Sequence, residues 1–311
     1  MSVVALYADL STYNVYGEES AYGTPPATVT SQFGILQRSQ MTGKNNNIYI
    51  RGIGGGRSPL QVKSGSLEGS YQNTFKVQTG AFLKYALGAV TGSGTVGSPY
   101  AYSVADTPAS LTIEKAYNTP TTANTMRLTG ALCQNASIKY EERQPVLAST
   151  QFIGKTFAKG STYQTITPAT TDVYMAYNAT LEMPSGSVIA QIPGAELSIL
   201  NHAENYYEIG SRFGTGVFKE REFLGTIRPR VIDGYWMDKF LTGGTGATAP
   251  IAGTPAEVAT LKLNLTNGTK YIYLNFASVF VDDWNGTLEQ GQLAESEIPI
   301  RALGCTATEV V

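Results

Sequence analysis

The side chains able to do chemistry are few and scattered. A single histidine, His202, sits in the run ILNHAENYYE. A Ser-His-Asp or Cys-His arrangement would have to use it alone, with no nucleophile elbow or cysteine signature elsewhere, so His202 reads as a polar loop or strand-end residue. The carboxylate pairs Glu141–Glu142 and Asp282–Asp283 have the composition of an acid/base pair. They fall near the ends of extended runs, where carboxylates are solvated, and no positioning logic aims one at another. Metal centres that need paired histidines or clustered cysteines are excluded by count. Cys133 and Cys305 are too few for a disulfide framework and too far apart for a CxxC site. They read as two unpaired, buried or half-buried thiols, with a single bridge left open. RGIGGGR at 51–57 invites a phosphate-loop reading and fails it. Its glycines do not fit G-x-G-x-x-G, no Gly-Lys-Ser/Thr follows, and the next element reads as a strand, not a helix with an N-terminus to hold phosphate. The sequence therefore points away from an enzyme and implies no cofactor.

The elements around these residues are strands and turns. With 33 glycines, 19 tyrosines and many Thr, Ser and Val in 311 residues, composition favours β-structure over helix. The length suits two domains. The 22 basic and 24 acidic residues leave a net charge of −2, so the whole-chain field does not attract polyanions as that of a basic nucleic-acid binder would. The longest apolar run, YIYLNFASVFV at 271–281, is about half what a membrane-spanning helix needs and reads as a strand. With no secretory signal pattern in its first residues, the chain reads as soluble and made in cytoplasm.

The pattern occurs twice. TGAFLKYALG (79–88) and DGYWMDKFLTGG (233–244) each carry an apolar helical stripe, Phe82, Leu83, Ala86 and Leu87 in one and Trp236, Met237, Phe240 and Leu241 in the other. This predicts short helices at 80–88 and 234–241 with those residues buried. Upstream, GSLEGSYQNTFKV (65–77) and REFLGTIRPRVI (221–232) alternate as half-buried strands. Downstream, each helix runs into a glycine-rich loop and then into further strands, ASLTIEK and RLTGALCQNASIKYEE against ATLKLNL and YIYLNFASVFVDDWNG. The polar loop at 37–62 has a counterpart near 201–222. The expected architecture is mainly β: two tandem antiparallel sandwich or barrel domains, each with one short flanking helix. The expected boundaries are an N-terminal arm (1–30), domain 1 (31–165), a linker (166–187), domain 2 (188–304) and a C-terminal tail (305–311).

Several segments together resemble the major tail tube proteins of tailed phages and archaeal tailed viruses. They include YGEESAYGTPP (16–26), GILQRSQ (34–40), GSLEGSYQNTFKVQTGAFLKYALG (65–88), LTGALCQNASIKYEERQPVLASTQFIGKT (128–156) and VIAQIPGAELSILNHAENYYEIGSR (188–212). The resemblance spans most of the chain and rests on the ordered set, not on one motif. It implies a structural virion protein, made in the host cytoplasm, that stacks as rings into a tube through which double-stranded DNA passes without specific binding. Six tube domains would surround the lumen, so a duplicated chain implies a homotrimer, with a hexamer as the alternative. Tape-measure and tail-tip or terminator proteins are the other implied partners. Lys44, Asn46, Tyr49, Arg51 and Arg57 are the candidates for contacts between subunits or rings, and Glu68 and Glu141 for the lumen wall. The other reading of the same composition is a surface adhesin or carbohydrate-binding β-sandwich.

Overall fold

Alternation of apolar and polar residues produces strands along most of the chain. The computed structural model describes residues 13–53, 58–116, 125–160, 170–189, 192–230, 234–244, 246, 249–250, 256–283 and 297–311. The first half contains β1 (Asn14–Glu18), β2 (Gly34–Asn45), the hairpin β3 (Ile48–Ile50) and β4 (Gln61–Lys63), and β5 (Leu67–Val77). After helix α1 (Ala81–Leu87) come the hairpin β6 (Gly88–Thr91) and β7 (Tyr100–Val104), then β8 (Leu111–Ala116), β9 (Thr125–Glu141), β10 (Leu147–Gly154) and β11 (Thr156–Lys159). The second half contains β12 (Ala179–Glu182), β13 (Gly194–Leu200), the hairpin β14 (Glu204–Tyr206) and β15 (Thr215–Val217), and β16 (Glu222–Arg228). Helix α2 (Gly234–Thr242), β17 (Glu257–Asn267), β18 (Lys270–Val281) and β19 (Ile298–Val310) complete it. The protein is mainly β, and its named strands pair antiparallel.

Pairing follows one order in both halves. The first runs β2-β5-β10-β9-β8-β1 and the second β13-β16-β19-β18-β17-β12. In each, a helix follows the second strand of that order, and a hairpin leaves between the first and second. The halves do not stand apart. The C-terminal part of β9 pairs with β13 from Asn135↔Leu200 to Glu141↔Gly194, so the sheet continues from β2 at one edge to β12 at the other. The N-terminal part of β9 turns away to pair with β8 and β11. The turn needs Gly130, whose φ is +65°, a conformation that costs a side-chain-bearing residue energy. Glu19, 7% exposed, pins it. Its carboxylate accepts the Gly130 and Gly23 N–H groups and the Ser110 and Thr112 hydroxyls at 2.7–2.8 Å. Four donors make this buried charge tolerable.

The main core lies on one side of the sheet, and a small second cluster, Tyr13, Val15, Val29 and Ala116, packs around β1. Tyr71, Phe75 and Val77 alternate inward from β5, and Phe33, Tyr16 and Phe152 stack beside them. Helix α1 covers this layer with Phe82, Leu83, Ala86 and Leu87, all at most 1% exposed, and Phe82 meets Phe75 edge to face at 5.5 Å. Gly88 ends the helix with a φ of +116°.

Three sequence expectations need correction. In α2, Trp236 is 2% exposed but Met237 and Phe240 are 43% and 39% exposed, and Leu241 is half-buried. The inward partner of Trp236 is Lys239, 4% exposed, whose ammonium donates to the Gly243 carbonyl at 3.1 Å and lies 5.0 Å from the Tyr235 ring. A satisfied ammonium lets the long stem pack where an apolar residue was expected. Residues from 305, read as a tail, are strand: Cys305, Ala307 and Glu309 alternate inward on β19. β1 and β12, within the stretches read as an arm and a linker, are hydrogen-bonded strands.

Emptying the Trp236 site (Trp236→Ala) is expected to cost about 3–5 kcal/mol of stability. Met237→Ser, one residue on, should stay within about 0.5 kcal/mol. Denaturant unfolding of the two variants checks the helix orientation.

Candidate assembly surfaces

The two halves are tied at a buried carboxylate as well as along β9 and β13. Glu309 of β19, 2% exposed, accepts the Gly80 N–H at the start of α1 at 2.7 Å and the Tyr102 hydroxyl. The last strand of the second half thus caps the helix of the first. Burial pushes the Glu309 carboxyl above its ordinary value, with the two hydrogen bonds pulling back, and pushes the Tyr102 hydroxyl up as well. Beside α1, Asn201 donates to the Ala86 and Cys133 carbonyls at 3.0 and 3.1 Å and accepts Arg221 Nε at 2.6 Å.

The sheet face opposite the core is largely polar, and several of its cations are ion-paired. One cross-strand row runs Arg38, Thr74, Ser149, Ser137, Ser198, Leu224, Arg301, Phe280. A second begins Gln40, Gln72, Gln151, Asn135. Three cations on this face meet carboxylates: Lys139–Glu141 at 2.7 Å, Arg228–Glu297 at 2.9 Å, Arg228–Glu141 at 3.3 Å, and Arg301 with Asp282 and Glu222 at 3.5 and 3.7 Å. Arg38 and Lys76 form no ion pair among the described residues. Lys139, hydrogen-bonded to Glu141, holds that carboxyl below its ordinary value, and Arg228 adds to the effect. Glu68, on β5, lies 4.0 Å from Lys44 and accepts Asn46 Nδ2 at 2.5 Å. Each exposed pair adds little stability, but together they match most of the cations on the face.

Hairpins leave from one end of this face. In β3–β4, Ile48, Tyr49, Ile50, Leu60 and Val62 are all exposed, a density of unpartnered apolar residues that marks a contact surface. Arg51 follows β3 and is exposed; Arg57 lies outside the described residues. Lys44 and Asn46 sit at the hairpin base with Glu68, next to Tyr49 and Arg51 of the hairpin, whereas Glu141 lies at the other end of the sheet. The β14–β15 hairpin is different, because it folds back on the first half. Leu67 N–H donates to the Arg212 carbonyl at 2.9 Å, Asn205 Nδ2 to the Gly154 carbonyl at 3.1 Å, and Gly216 N–H to the Tyr22 hydroxyl oxygen at 2.7 Å.

The groups weighed for catalysis are dispersed. His202 is exposed, 3.2 Å from Glu222. Glu142 pairs with Arg230 and Asp282 with Arg301. Cys133 and Cys305 are free and buried; burial pushes the first thiol up to about 12 and the second up as well. Among the described residues no group of three His, Cys, Asp or Glu side chains is placed to hold a metal, and no helix is long and apolar enough to cross a membrane.

A family model described as phage tail tube protein matches residues 12–302, which takes in both halves of the sheet. No curated protein matches.

A carboxyl raised by folding contributes stability below its unfolded value, about 4.3 for glutamate, and that contribution is lost as the pH rises through the raised value. Glu309→Gln is therefore expected to gain on the wild type in Tm as the pH is taken from about 4 to about 8. A Tm difference that stays flat or reverses over that window would remove Glu309 as the titrating group.

Proposed function

The chain belongs to the phage tail tube protein family, and we propose that three copies close a pseudo-sixfold ring that stacks into the tail tube. It is a structural component of a virion tail. The observation that carries the ring is the common strand order of the two halves together with the seam between them. A chain with β2-β5-β10-β9-β8-β1 followed by β13-β16-β19-β18-β17-β12 reads as two copies of one tube unit. Within the chain, β13 of the second unit pairs with β9 of the first. β2 holds the place of β13 in its own unit, and among the described strands it pairs only with β5. An open edge twelve residues long is a template for another strand. In the ring, β2 meets the outer edge of the second unit of the next copy, formed by β12 and by the start of β17, residues 257–261, which has no strand on its outer side among the described residues. β18 itself is paired along its length with β17 and β19. Six units, two per chain, then make one closed wall and leave no edge.

The face carrying the serine and glutamine rows lines the lumen in this arrangement, with Glu68 and Glu141 on it. Retention of a duplex grows with the number of phosphates neutralised by free Lys and Arg. Cations matched by carboxylates release few counterions, which leaves Arg38 and Lys76 unmatched among the described residues of the face, too few per unit to hold a passing duplex. Tape-measure and tail-tip proteins are the partners the tube reading requires at its inside and its ends, and assembly takes place in the host cytoplasm before the tail joins the virion.

Purified protein imaged by negative stain should show rings or tubes with a central hole, and native mass spectrometry of the ring should give three chains. Six chains per ring would keep the tube and remove the trimer. A strictly monomeric protein at high concentration would overturn the ring.

A further inference from the structure

The seated β14–β15 hairpin shows what its unseated counterpart needs. Where it lies on the first half, it covers the ends of β5, β9 and β10. Gly216 closes on Leu132 so tightly that an added Cβ would lie 2.5 Å from the leucine side chain, and Leu132 is left 4% exposed. The strands holding those places in the second half are β16, β18 and β19. Their corresponding ends enclose a groove of about 720 Å³, lined by Phe218, Arg221, Ala277 and Leu303 with Asn201 beside them. Leu303 is 72% exposed. One unit has its seat filled and the other has it open.

The hairpin that would fill the groove by the same rule is β3–β4. It leaves between β2 and β5 as β14–β15 leaves between β13 and β16, and it carries Ile48, Tyr49 and Ile50 exposed. The seated hairpin leans across the seam, from β13 over the unit that contributes β9. On the outer side of β2 there is no such unit within the chain, so the groove must come from another copy. Resting on the ring reading above, we infer that the groove around Leu303 is the seat for the β3–β4 hairpin of a second copy in the same ring. Charge agrees with the fit. From Asn45 to Lys63 the hairpin carries Arg51, Arg57 and Lys63 and no acid. Asp106 lines the groove, and Glu204, Glu220 and Glu222 line the adjoining depression. The cations at the rim are engaged: Lys219 by Glu204 at 2.6 Å, and Arg221 by Asn201 and by the Ala105 carbonyl at 3.0 Å.

The test pairs Tyr49→Cys with Leu303→Cys in the full chain, oxidised after assembly and run on a non-reducing gel; the native cysteines are buried. Covalent bands that stop at the copy number of one ring, three, are expected, because each hairpin reaches its ring neighbour and the circle closes. Bands stopping at six would keep the seat and change the ring count. A ladder running past one ring would place the hairpin on a different ring, and tubes with no cross-link would place it elsewhere; either overturns the inference. Leu303→Glu should raise the concentration needed for assembly about tenfold or more, as losing a buried aliphatic anchor does, with the Tm of the unassembled chain unchanged. Wild-type assembly by Leu303→Glu would overturn the seat and leave the tube reading standing. A wild-type chain that never assembles would overturn both.

Discussion

Each outer strand of a sheet carries a row of backbone N–H and C=O groups with no partner, and this constraint organises the molecule. Inside the chain the constraint is met at β9 and β13, where seven residue pairs join two units that would otherwise each present an edge. The same strand β9 also serves β8 and β11 through its N-terminal part, which is possible only because the backbone turns at Gly130. Glu19 holds that turn from the inside. A sheet built this way is mechanically continuous from β2 to β12, and its remaining edges are where further copies must be considered.

The two halves share more than the seam. The β6–β7 hairpin has no equivalent among the described strands of the second half, and β7 pairs with the end of β19, Tyr102 opposite Ala307. Glu309, two residues on, then caps α1. The insertion therefore ties the final strand to the first helix, and the Asn201–Arg221 pair ties the end of β13 to the end of the same helix. Contacts of this kind lie between the units within a chain and have no required counterpart between chains. A duplicated chain can fix half of its unit interfaces with buried polar groups and leave the other half to form only on assembly.

What was legible in the sequence was what local periodicity records. The alternation in 65–77 and the apolar stripe in 79–88 correspond to β5 and α1, and the polar loops read at 37–62 and near 201–222 each contain a hairpin, although 37–45 belongs to strand β2. Partner choice was not legible. Nothing in TMRLTGALCQNASIKYE says that one strand will bend and serve two sheets, beyond a single glycine at 130. The role of Glu309 was hidden because an acidic residue in an alternating run reads as solvent-facing, and only the third dimension brings Gly80 and Tyr102 to it. Lys239 misled the reading of α2 for the same reason: its stem is apolar and its charge is satisfied at the helix end. Of the residues proposed for assembly, Lys44, Asn46, Tyr49 and Arg51 were read from the sequence and lie together at one hairpin. Leu303 was not, because an isolated leucine in IPIRALG has no signal of its own until the strand beside it is known.

Net charge is a poor guide to what such a surface does, and charge placement is a better one. The value of −2 for the whole chain would be equally compatible with a face of free lysines offset by acids elsewhere. Here Lys44, Lys139, Arg228 and Arg301 of the polar face meet carboxylates at distances of 2.7 to 4.0 Å, and Arg38 and Lys76 are left unmatched among the described residues. Because opposite charges alternate at that spacing, the field falls away over a few ångströms, well inside the Debye length of about 8 Å at physiological salt. A polyanion a nanometre from the face meets mostly hydroxyls, amides and neutralised pairs, with Arg38 and Lys76 unmatched among the described residues. The rows of serine and glutamine have the further property that each side chain can both donate and accept, so the face stays hydrated and no ordered phosphate contact is favoured over the next one along. As the lumen wall proposed above, such a face would be slippery because its contacts are mostly weak and alike, which follows from the side-chain types and does not require repulsion.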